Sequence, residues 1–514
     1  MSPSPPARAL ASSPPPAPWV ALPFLLAALA AIGVGTFAAL GLKWFALLCI
    51  VGAALYALER SVRDPWFAFR TAVVLYPIMA IARPLHNAYG WPVFTSGVRL
   101  FPELFQCLII AHIVVAALKR GRAAGTPFPV TANDLPVVVY MIAAVYSFVI
   151  GCVNVHPAAP INGWFVSITP AVWFLVVRWL RPDPATVRRN VYFLVYVYIA
   201  LAIPSLLDYF IRPEATMRLM DAERGYFVPQ GMSPFVFWRI YPRMQSYLFE
   251  ENVFGTVSVL VALFSAAHLM ARKPRPALYA LFALGIICSV LTISRGSWMT
   301  FAIGLSIMLL INGRHRPRIT ALLACVVVMT GGAFMLWKDS PFVEYILPTV
   351  LARLSQISPD AAQRGELAND RTHQWREAWA IFLATPSGSG LGTVGIAAHY
   401  SKVAQHVVGD GIYFRVLAEQ GVPGIVAFAF TLGGITWVLW RYLPVCDVES
   451  RPLCATMLGF HIGYCVQSIG GNTFDLYYVT PMYWMMLGFA VCLIERSHGK
   501  AIAAAQAGDD KGQG

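Results

Sequence analysis

The chain has 514 residues, of which 58% are hydrophobic and only 12% are charged, and its formal net charge is +13. Soluble globular domains carry about a quarter charged residues, so this composition excludes that class. Apolar runs of about 20 residues, the length that crosses a hydrocarbon core, recur along the chain. The sequence therefore predicts a polytopic, all-α integral membrane protein.

About fourteen transmembrane helices are predicted from these runs. We expect them at 19–39, 43–58, 66–82, 102–118, 135–153, 164–180, 190–208, 252–270, 276–292, 297–312, 319–337, 412–440, 453–468 and 475–494. They divide the chain into a disordered, proline-rich N-terminus at 1–18, eleven spans within 19–337, a large polar loop at 338–410, three spans within 411–494 and a tail at 495–514.

Basic residues set the orientation, because Lys and Arg beside short loops stay on the cytoplasmic side. They are concentrated in alternate loops, around 119–122, 178–189, 272–275 and 314–318. These loops are predicted to be cytoplasmic, and the positive net charge is interpreted as a topology signal rather than as nucleic-acid binding. An even number of spans then places both termini in the cytoplasm and the 338–410 loop outside.

The polar loop is predicted to contain helices that lie along the membrane surface. Residues 341–357 place apolar side chains on one helical face. A second helix over 370–383 carries Arg371 in its first turn, with Trp375 one turn further on. None of the nine cysteines forms a CxxC pair, so we expect packing rather than disulfides to hold this loop.

Several motifs in and beside this loop resemble the signature of the O-antigen ligase and polymerase superfamily. The motifs are Arg371-x-x-x-Trp375, Pro386-x-Gly388-x-Gly390-x-Gly392, Asp410-Gly411, Leu417-Ala418-Glu419-x-Gly421-x-x-Gly424, Ser294-Arg295-Gly296 and, more loosely, Arg243-x-x-Ser246 with Glu251-Asn252-x-x-Gly255. The resemblance implies a bacterial inner-membrane enzyme that works without metal or other cofactor. Its expected substrates are an undecaprenyl-diphosphate-linked glycan donor and a glycan acceptor, with a flippase and a chain-length regulator among the expected partners.

One departure bears on which reaction is expected. Ligases of this superfamily usually have His-Asn where this chain has Asp410-Gly411. Aspartate at that position resembles the polymerases of O-antigen or exopolysaccharide. A polymerase is therefore favoured, with a ligase that transfers glycan to the lipid A core as the alternative.

The leaving group in such a transfer is a lipid diphosphate, whose charge is best met by guanidinium groups. Arg295 and Arg371 are the predicted catalytic pair, and Arg243 is a third candidate for binding the diphosphate. Each also has a structural explanation. Arg295 could be an interfacial arginine that extends toward water, Arg371 could form a surface ion pair, and Arg243 could be an ordinary loop charge.

Asp410 is the predicted base that takes the proton from the acceptor hydroxyl, although it could instead cap the twelfth span. Glu419 lies inside that span, so we expect it to pair with Arg415 and support the site. His406 is an alternative base, and a metal site that uses it would be incomplete. Trp375 could stack on a sugar ring or belong to an interfacial aromatic belt.

Two other functions fit the composition. A glycolipid flippase or transporter could use paired arginines, but it would need ionisable residues near the bilayer midplane, whereas most charges here lie at span ends. A non-catalytic scaffold of a polysaccharide assembly complex predicts that substitution of Arg371 and Asp410 leaves polymer output intact.

Overall fold

The computed structural model describes residues 43–89, 101–120, 128–155, 157–224, 233–240, 243–271, 275–311, 368–395, 398, 411–476 and 478–512. Within these ranges the regular structure is helical and includes no β-strand, which confirms the all-α prediction. Asp410 and His406, the span predicted at 319–337 and the surface helix predicted at 341–357 lie outside the described residues, as do the segments 1–18 and 19–39.

The described helices follow one another through most of the chain. They are α1 Lys43–Arg63, α2 Pro65–Tyr89, α3 Phe101–Arg120, α4 Leu135–Asn154, α5 Ala158–Gly163, α6 Thr169–Leu180, α7 Pro184–Ile211, α8 Glu214–Arg224, α9 Pro234–Ile240, α10 Glu251–Ala271, α11 Pro276–Leu291, α12 Arg295–Ile311, α13 Ala368–Ala384, α14 Ile412–Tyr442, α15 Arg451–Gln467 and α16 Val479–Gly512. One π-helical turn, Trp164–Ile168, joins α5 to α6, and 3-10 turns occupy Ser246–Leu248, Leu443–Val445 and Thr473–Asp475.

In the described part of the chain, six helical stretches are long and apolar enough to cross a membrane. They are Pro102–Lys119, Leu135–Asn154, Ala158–Leu180, Pro184–Ile211, Glu251–Ala271 and Ile412–Val445. Shorter apolar helices occupy Pro65–Ile81, Pro276–Leu291 and Arg295–Ile311. Each coincides with a predicted span, but the total of about fourteen stays a prediction.

Helix α10 lies at the centre of the bundle. It is apolar on all sides, and every residue from Val253 to Met270 is buried by neighbours, as expected of a helix with no lipid-facing side. By contrast, α4 exposes Ile142, Val149 and Val153 on one side while burying Tyr140 and Ala144 on another. An apolar exposed face on a spanning helix is the face that lipid would cover.

Helices α12 and α15 cross at glycines that bring their backbones into contact. A Cβ atom on Gly459 would lie 2.7 Å from the carbonyl oxygen of Gly304, and one on Gly463 would lie 2.6 Å from that of Thr300. Small residues at such crossings allow the close packing that holds membrane helices together. This crossing fixes α12, which begins at Arg295, against α15, which ends at Gln467.

Arg178 fastens the predicted cytoplasmic end of the bundle. Its Nε atom lies 2.7 Å from Oδ1 of Asp134, and its Nη2 atom lies 2.5 Å from Oε1 of Glu495. The arginine side chain is only 6% exposed, so the two carboxylates compensate a charge that is largely removed from water. Because these residues belong to α6, the start of α4 and α16, the contacts tie three separate parts of the chain together.

The twelfth predicted span is kinked, which the prediction of one continuous helix over 412–440 missed. Gly421 has φ 62° and ψ −156° inside α14, and Pro423 follows two residues later. The N–H of Val422 donates to the carbonyl oxygen of Pro386 at 3.0 Å. Glycine followed closely by proline was the available sequence signal for the kink.

Candidate active site

The loosely matching Arg243 motif and the Ser294-Arg295-Gly296 motif touch each other at one end of the bundle. The backbone N–H of Met244 donates to the carbonyl oxygen of Leu291 at 2.9 Å, and Nε of Arg243 donates to that of Thr292 at 3.1 Å. The residues before α10 therefore lie along the turn between α11 and α12. This turn lies at the end of α11 opposite Arg275, which precedes α11 in a predicted cytoplasmic loop. The predicted topology therefore places the turn and both motifs outside.

Arg243 is held by acceptors on three sides. Besides Thr292, its guanidinium forms an ion pair with Glu251 and donates to Oδ1 of Asn252 at 3.4 Å. A guanidinium has five N–H donors, so these contacts leave about one on each terminal nitrogen. Because the side chain is still 18% exposed, Arg243 is both oriented by the protein and able to meet an anion.

Arg295 begins α12 directly after a strained turn. Ile293 has φ 50°, an unusual conformation for a β-branched residue, and it turns the chain between α11 and α12. Ser294 then donates from Oγ to Oδ1 of Asn252 at 2.9 Å. Asn252 therefore accepts hydrogen bonds from both Arg243 and Ser294, which connects the two arginine motifs through one amide. The side chain of Arg295 itself is partly exposed.

The glycines of these two motifs are points of close approach. A Cβ atom on Gly255 would lie 2.6 Å from Oγ1 of Thr292 and 2.7 Å from Oγ of Ser297. A Cβ atom on Gly296 would lie 2.8 Å from Cγ of Gln467. Larger residues would therefore push apart the helices that bring the two arginine-containing motifs together.

The glycine-rich turn after α13 is a docking element. Gly388, Gly390 and Gly392 all have positive φ, at 98°, 109° and 78°. A Cβ atom on Gly390 would lie 2.4 Å from Cα of Gly151 on α4, and one on Gly392 would lie 2.0 Å from a backbone carbonyl oxygen of α5. Only glycine fits such contacts with this backbone geometry.

The same turn does not serve as a phosphate cradle in this structure, because an internal carboxylate occupies its amides. The N–H groups of Gly392 and Val394 both donate to Oε1 of Glu419, at 3.0 and 3.2 Å. Glu419 thus binds the turn to α14. Sequence spacing showed the glycines but not the carboxylate that they surround.

Arg415 completes a buried charge cluster beneath this turn. Its Nη1 atom lies 3.1 Å from Oε2 of Glu419, which confirms the predicted pairing, and its Nη2 atom lies 2.7 Å from Oδ1 of Asp475. Nη1 also donates to Oγ of Ser167 at 3.1 Å. All three charged side chains are at most 1% exposed. One guanidinium between two carboxylates leaves an excess negative charge, which burial disfavours.

Asp475 is the member of this cluster that lies outside the long helices, in the 3-10 turn before α16. Burial raises the pKa of Asp475 to about 6, although the nearby Arg415 guanidinium acts in the opposite direction. Its Oδ2 atom accepts no hydrogen bond from the described residues. Glu419, by comparison, accepts two backbone N–H bonds that favour its charged form. Asp475 was not among the site residues that the sequence motifs indicated.

Trp375 places α13 against Gly411 and the first turn of α14, which together are called the entrance of α14 below. Its ring stacks on Phe414 with centroids 5.0 Å apart and planes inclined by 12°. A Cβ atom on Gly411 would lie 3.0 Å from Nε1 of Trp375. Gly411 occupies the N-cap position of α14 with φ 104°, and the alternative role of Asp410 as a cap lies, with Asp410 itself, outside the described residues.

The remaining predicted site residues are described only in part. Arg371 lies in the first turn of α13, one turn before Trp375, as predicted, but its side chain is not among those described. Asp410 precedes Gly411 directly, and it lies, with His406, outside the described residues. Among the described side chains, no three His, Cys, Asp or Glu residues are grouped as metal ligands would be.

The fold is that of a helical protein with several candidate membrane-spanning helices, and two of its arginine-containing motifs meet at one end. The sequence model of one protein family, described as O-Antigen ligase, matches residues 280–429 of the chain. This segment runs from α11 into α14 and includes Arg295, the glycine-rich turn and Glu419. The match confirms the resemblance to the O-antigen ligase and polymerase superfamily. None of the curated proteins compared with the chain matches it.

Proposed function

We propose that this protein is a membrane glycosyltransferase that polymerises undecaprenyl-diphosphate-linked oligosaccharide repeat units at the periplasmic face of the bacterial inner membrane. The observation that carries the proposal is that Asn252 joins Arg243 to Ser294, the residue before Arg295, at one end of the bundle. The family match at residues 280–429 supports a ligase or polymerase in general.

In this proposal, Arg243 and Arg295 bind the diphosphate of the donor, and Arg371 joins them from α13. Guanidinium groups fit this task because they stay protonated and can donate two hydrogen bonds to one phosphate. Glu251 and Asn252 hold Arg243 in place before the donor arrives, so little reorganisation is needed when charge develops on the leaving group.

The chemical step is a direct displacement at the anomeric carbon. The acceptor hydroxyl oxygen forms a bond to C1 while the bond from C1 to the diphosphate oxygen breaks, which inverts the configuration. The electron pair leaves with undecaprenyl diphosphate, and the hydroxyl proton passes to Asp410. Asp410 directly precedes the entrance of α14. Because Trp375 and the loop after α15 both contact this entrance, a base at Asp410 would lie beside a fixed part of the fold.

Deletion of the gene, followed by analysis of lipid-linked and surface glycans, tests the reaction type. Single repeat units on the carrier or acceptor are the result expected for a polymerase. Polymer that accumulates on the carrier would instead identify a ligase, the alternative that the description of the matched family favours. Unchanged glycans would contradict both reactions, and repeat units confined to the cytoplasmic leaflet would indicate a flippase.

Complementation with single variants tests the residue roles. Arg243→Ala, Arg295→Ala, Arg371→Ala and Asp410→Ala should each reduce polymer output about a hundredfold at equal membrane levels, as expected when one group that stabilises the transition state is removed. Arg218→Ala is the matched control, because Arg218 is an exposed arginine whose partner is an exposed Glu214 on the same helix. Near-normal output from all four site variants would defeat the mechanism.

A further inference from the structure

Gln467, the last residue of α15, is a buried polar side chain between two other helices. Its Nε2 atom donates to Oγ1 of Thr256 on α10 at 3.0 Å, and its Oε1 atom accepts from Oγ1 of Thr300 on α12 at 2.7 Å. Since Thr256 uses its own proton for the carbonyl oxygen of Asn252 at 2.7 Å, the amide nitrogen is the group that must face it. Both ends of the amide are therefore committed.

A continuous set of hydrogen bonds leads from Gln467 to the arginine motifs. Thr256, which accepts from Gln467, donates to the backbone carbonyl oxygen of Asn252. The side-chain amide oxygen of Asn252 accepts from Ser294, whose hydroxyl oxygen in turn accepts from Ser297 at 3.0 Å. Gln467 also packs directly on Gly296, the residue after Arg295. The contacts of Arg243 and Ser294 with Asn252 do not themselves involve Gln467.

The residues that flank Gln467 hold the entrance of α14. The N–H of Ile412 donates to the carbonyl oxygens of Ser468 at 3.2 Å and Gly471 at 3.3 Å, and the hydroxyl of Tyr413 donates to that of Cys465 at 2.8 Å. The end of α15 and the loop after it therefore touch the helix start that follows Asp410. One short segment, residues 465–471, contacts both halves of the candidate site.

We propose that Gln467 is a positioning residue that fixes the helices bearing the diphosphate-binding arginines relative to the entrance of α14, and thereby relative to the acceptor base. This inference rests on the proposed function. Gln467 lies beyond residues 280–429, the segment that the family match covers. Its removal should leave the arginines assembled but misplace the two reacting partners, and displacements of about 1 Å can reduce a rate about a hundredfold.

The test separates binding from transfer. Gln467→Met, which keeps the side-chain length but removes both hydrogen bonds, is compared with wild type for polymer formed per folded protein in membranes of the complemented deletion strain. The same proteins, purified in lipid nanodiscs, are measured for affinity to farnesyl diphosphate as a probe. We expect at least a tenfold loss of polymer with affinity within about twofold of wild type. Thr300→Val removes one of the two bonds and should give a smaller loss of the same kind.

The matched control is His461→Phe on the same helix. His461 is also fully buried, and its ring nitrogens contact the carbonyl oxygen of Leu432 at 3.0 Å and the hydroxyl of Tyr483 at 2.8 Å. This change should lower stability without lowering polymer per folded protein.

Two results would overturn the positioning role. The first is that Gln467→Met forms as much polymer per folded protein as His461→Phe does. If Gln467→Met does not accumulate in the membrane, the same result from Thr300→Val would overturn the role. The other is a parallel loss of farnesyl diphosphate affinity, which would place Gln467 in the diphosphate site itself. A wild-type arm without glycan transfer would overturn the proposed function first and this inference with it.

Discussion

Arg415 allows a sharp test of the buried charge cluster. Its guanidinium contacts Glu419 at 3.1 Å and Asp475 at 2.7 Å, and all three side chains are almost completely excluded from solvent. Arg415→Met preserves much of the side-chain length and removes the only positive charge of the cluster. The change leaves two buried carboxylates without their shared partner.

The expected cost follows from the burial of the pair. Removing one partner of a buried ion pair typically costs about 3–5 kcal/mol, because a charge is left uncompensated. The N–H groups of Gly392 and Val394 still bind Glu419, so most of the cost should arise at Asp475, whose Oδ2 accepts no hydrogen bond from the described residues. We therefore expect Arg415→Met to lower the free energy of unfolding by about 3 kcal/mol.

The assay is equilibrium unfolding in mixed detergent micelles, with Arg218→Met as the matched control. Arg218 and Glu214 are also four residues apart on a helix, and their atoms are closer, at 2.6 Å, but both side chains are more than half exposed. Solvent screening limits such a pair to less than about 1 kcal/mol. The shorter ion pair should therefore matter less than the longer one.

A rescue variant completes the test. Arg415→Met combined with Glu419→Gln and Asp475→Asn removes the orphaned charges and should recover more than half of the lost stability. The reasoning is refuted if Arg415→Met destabilises no more than Arg218→Met does, or if the triple variant is less stable than Arg415→Met alone.

Three further outcomes are expected. Gly296→Ala should reduce polymer output at least tenfold, because its Cβ atom would lie 2.8 Å from Cγ of Gln467. The control Gly433→Ala, whose Cβ atom would meet nothing within 4 Å, should leave output unchanged. Glycan gels of complemented strains measure both. Gly392→Ala should destabilise the protein by more than about 2 kcal/mol in the same unfolding assay, because Gly392 has φ 78° and the new Cβ atom would lie 2.0 Å from a backbone oxygen. An unfolding midpoint equal to that of wild type would contradict the docking role of the turn. Since burial raises the pKa of Asp475 to about 6 from its ordinary value of 3.8, its contribution to stability is complete below about pH 4 and is lost as the pH rises through 6. The difference in unfolding free energy between wild type and Asp475→Asn should therefore change by up to roughly 3 kcal/mol between pH 4 and pH 8, and a constant difference would show that Asp475 does not titrate there.

Much of the helical framework follows from local sequence alone. Apolar length predicted the helices at α3, α4, α10 and α12 within a few residues, because a spanning segment must satisfy its backbone hydrogen bonds internally. The Arg415 to Glu419 pairing was also predictable, since residues four apart on a helix are neighbours and an unpaired charge in a span is costly.

Contacts between distant segments could not be obtained in this way. Glu419 was expected to pair with Arg415, but its hydrogen bonds to the glycine-rich turn join residues more than twenty positions apart, at a turn that only the packed helices bring near. Gln467 gave a weak signal as a polar residue in an apolar helix. Its partners Thr256 and Thr300 are ordinary hydroxyl residues, and nothing in their local sequence indicates that they face the same amide.

The sequence by itself determined the class of protein, the positions of most spans, the predicted side of the membrane and the motif residues, because these depend on composition, hydropathy and spacing along one helix. The tertiary structure alone decided that Asn252 joins Arg243 to Ser294, that Glu419 fills the glycine-rich turn and that the end of α15 links the arginines to the entrance of α14. These are interactions between side chains far apart in the chain, and they exist only once the helices have packed against each other.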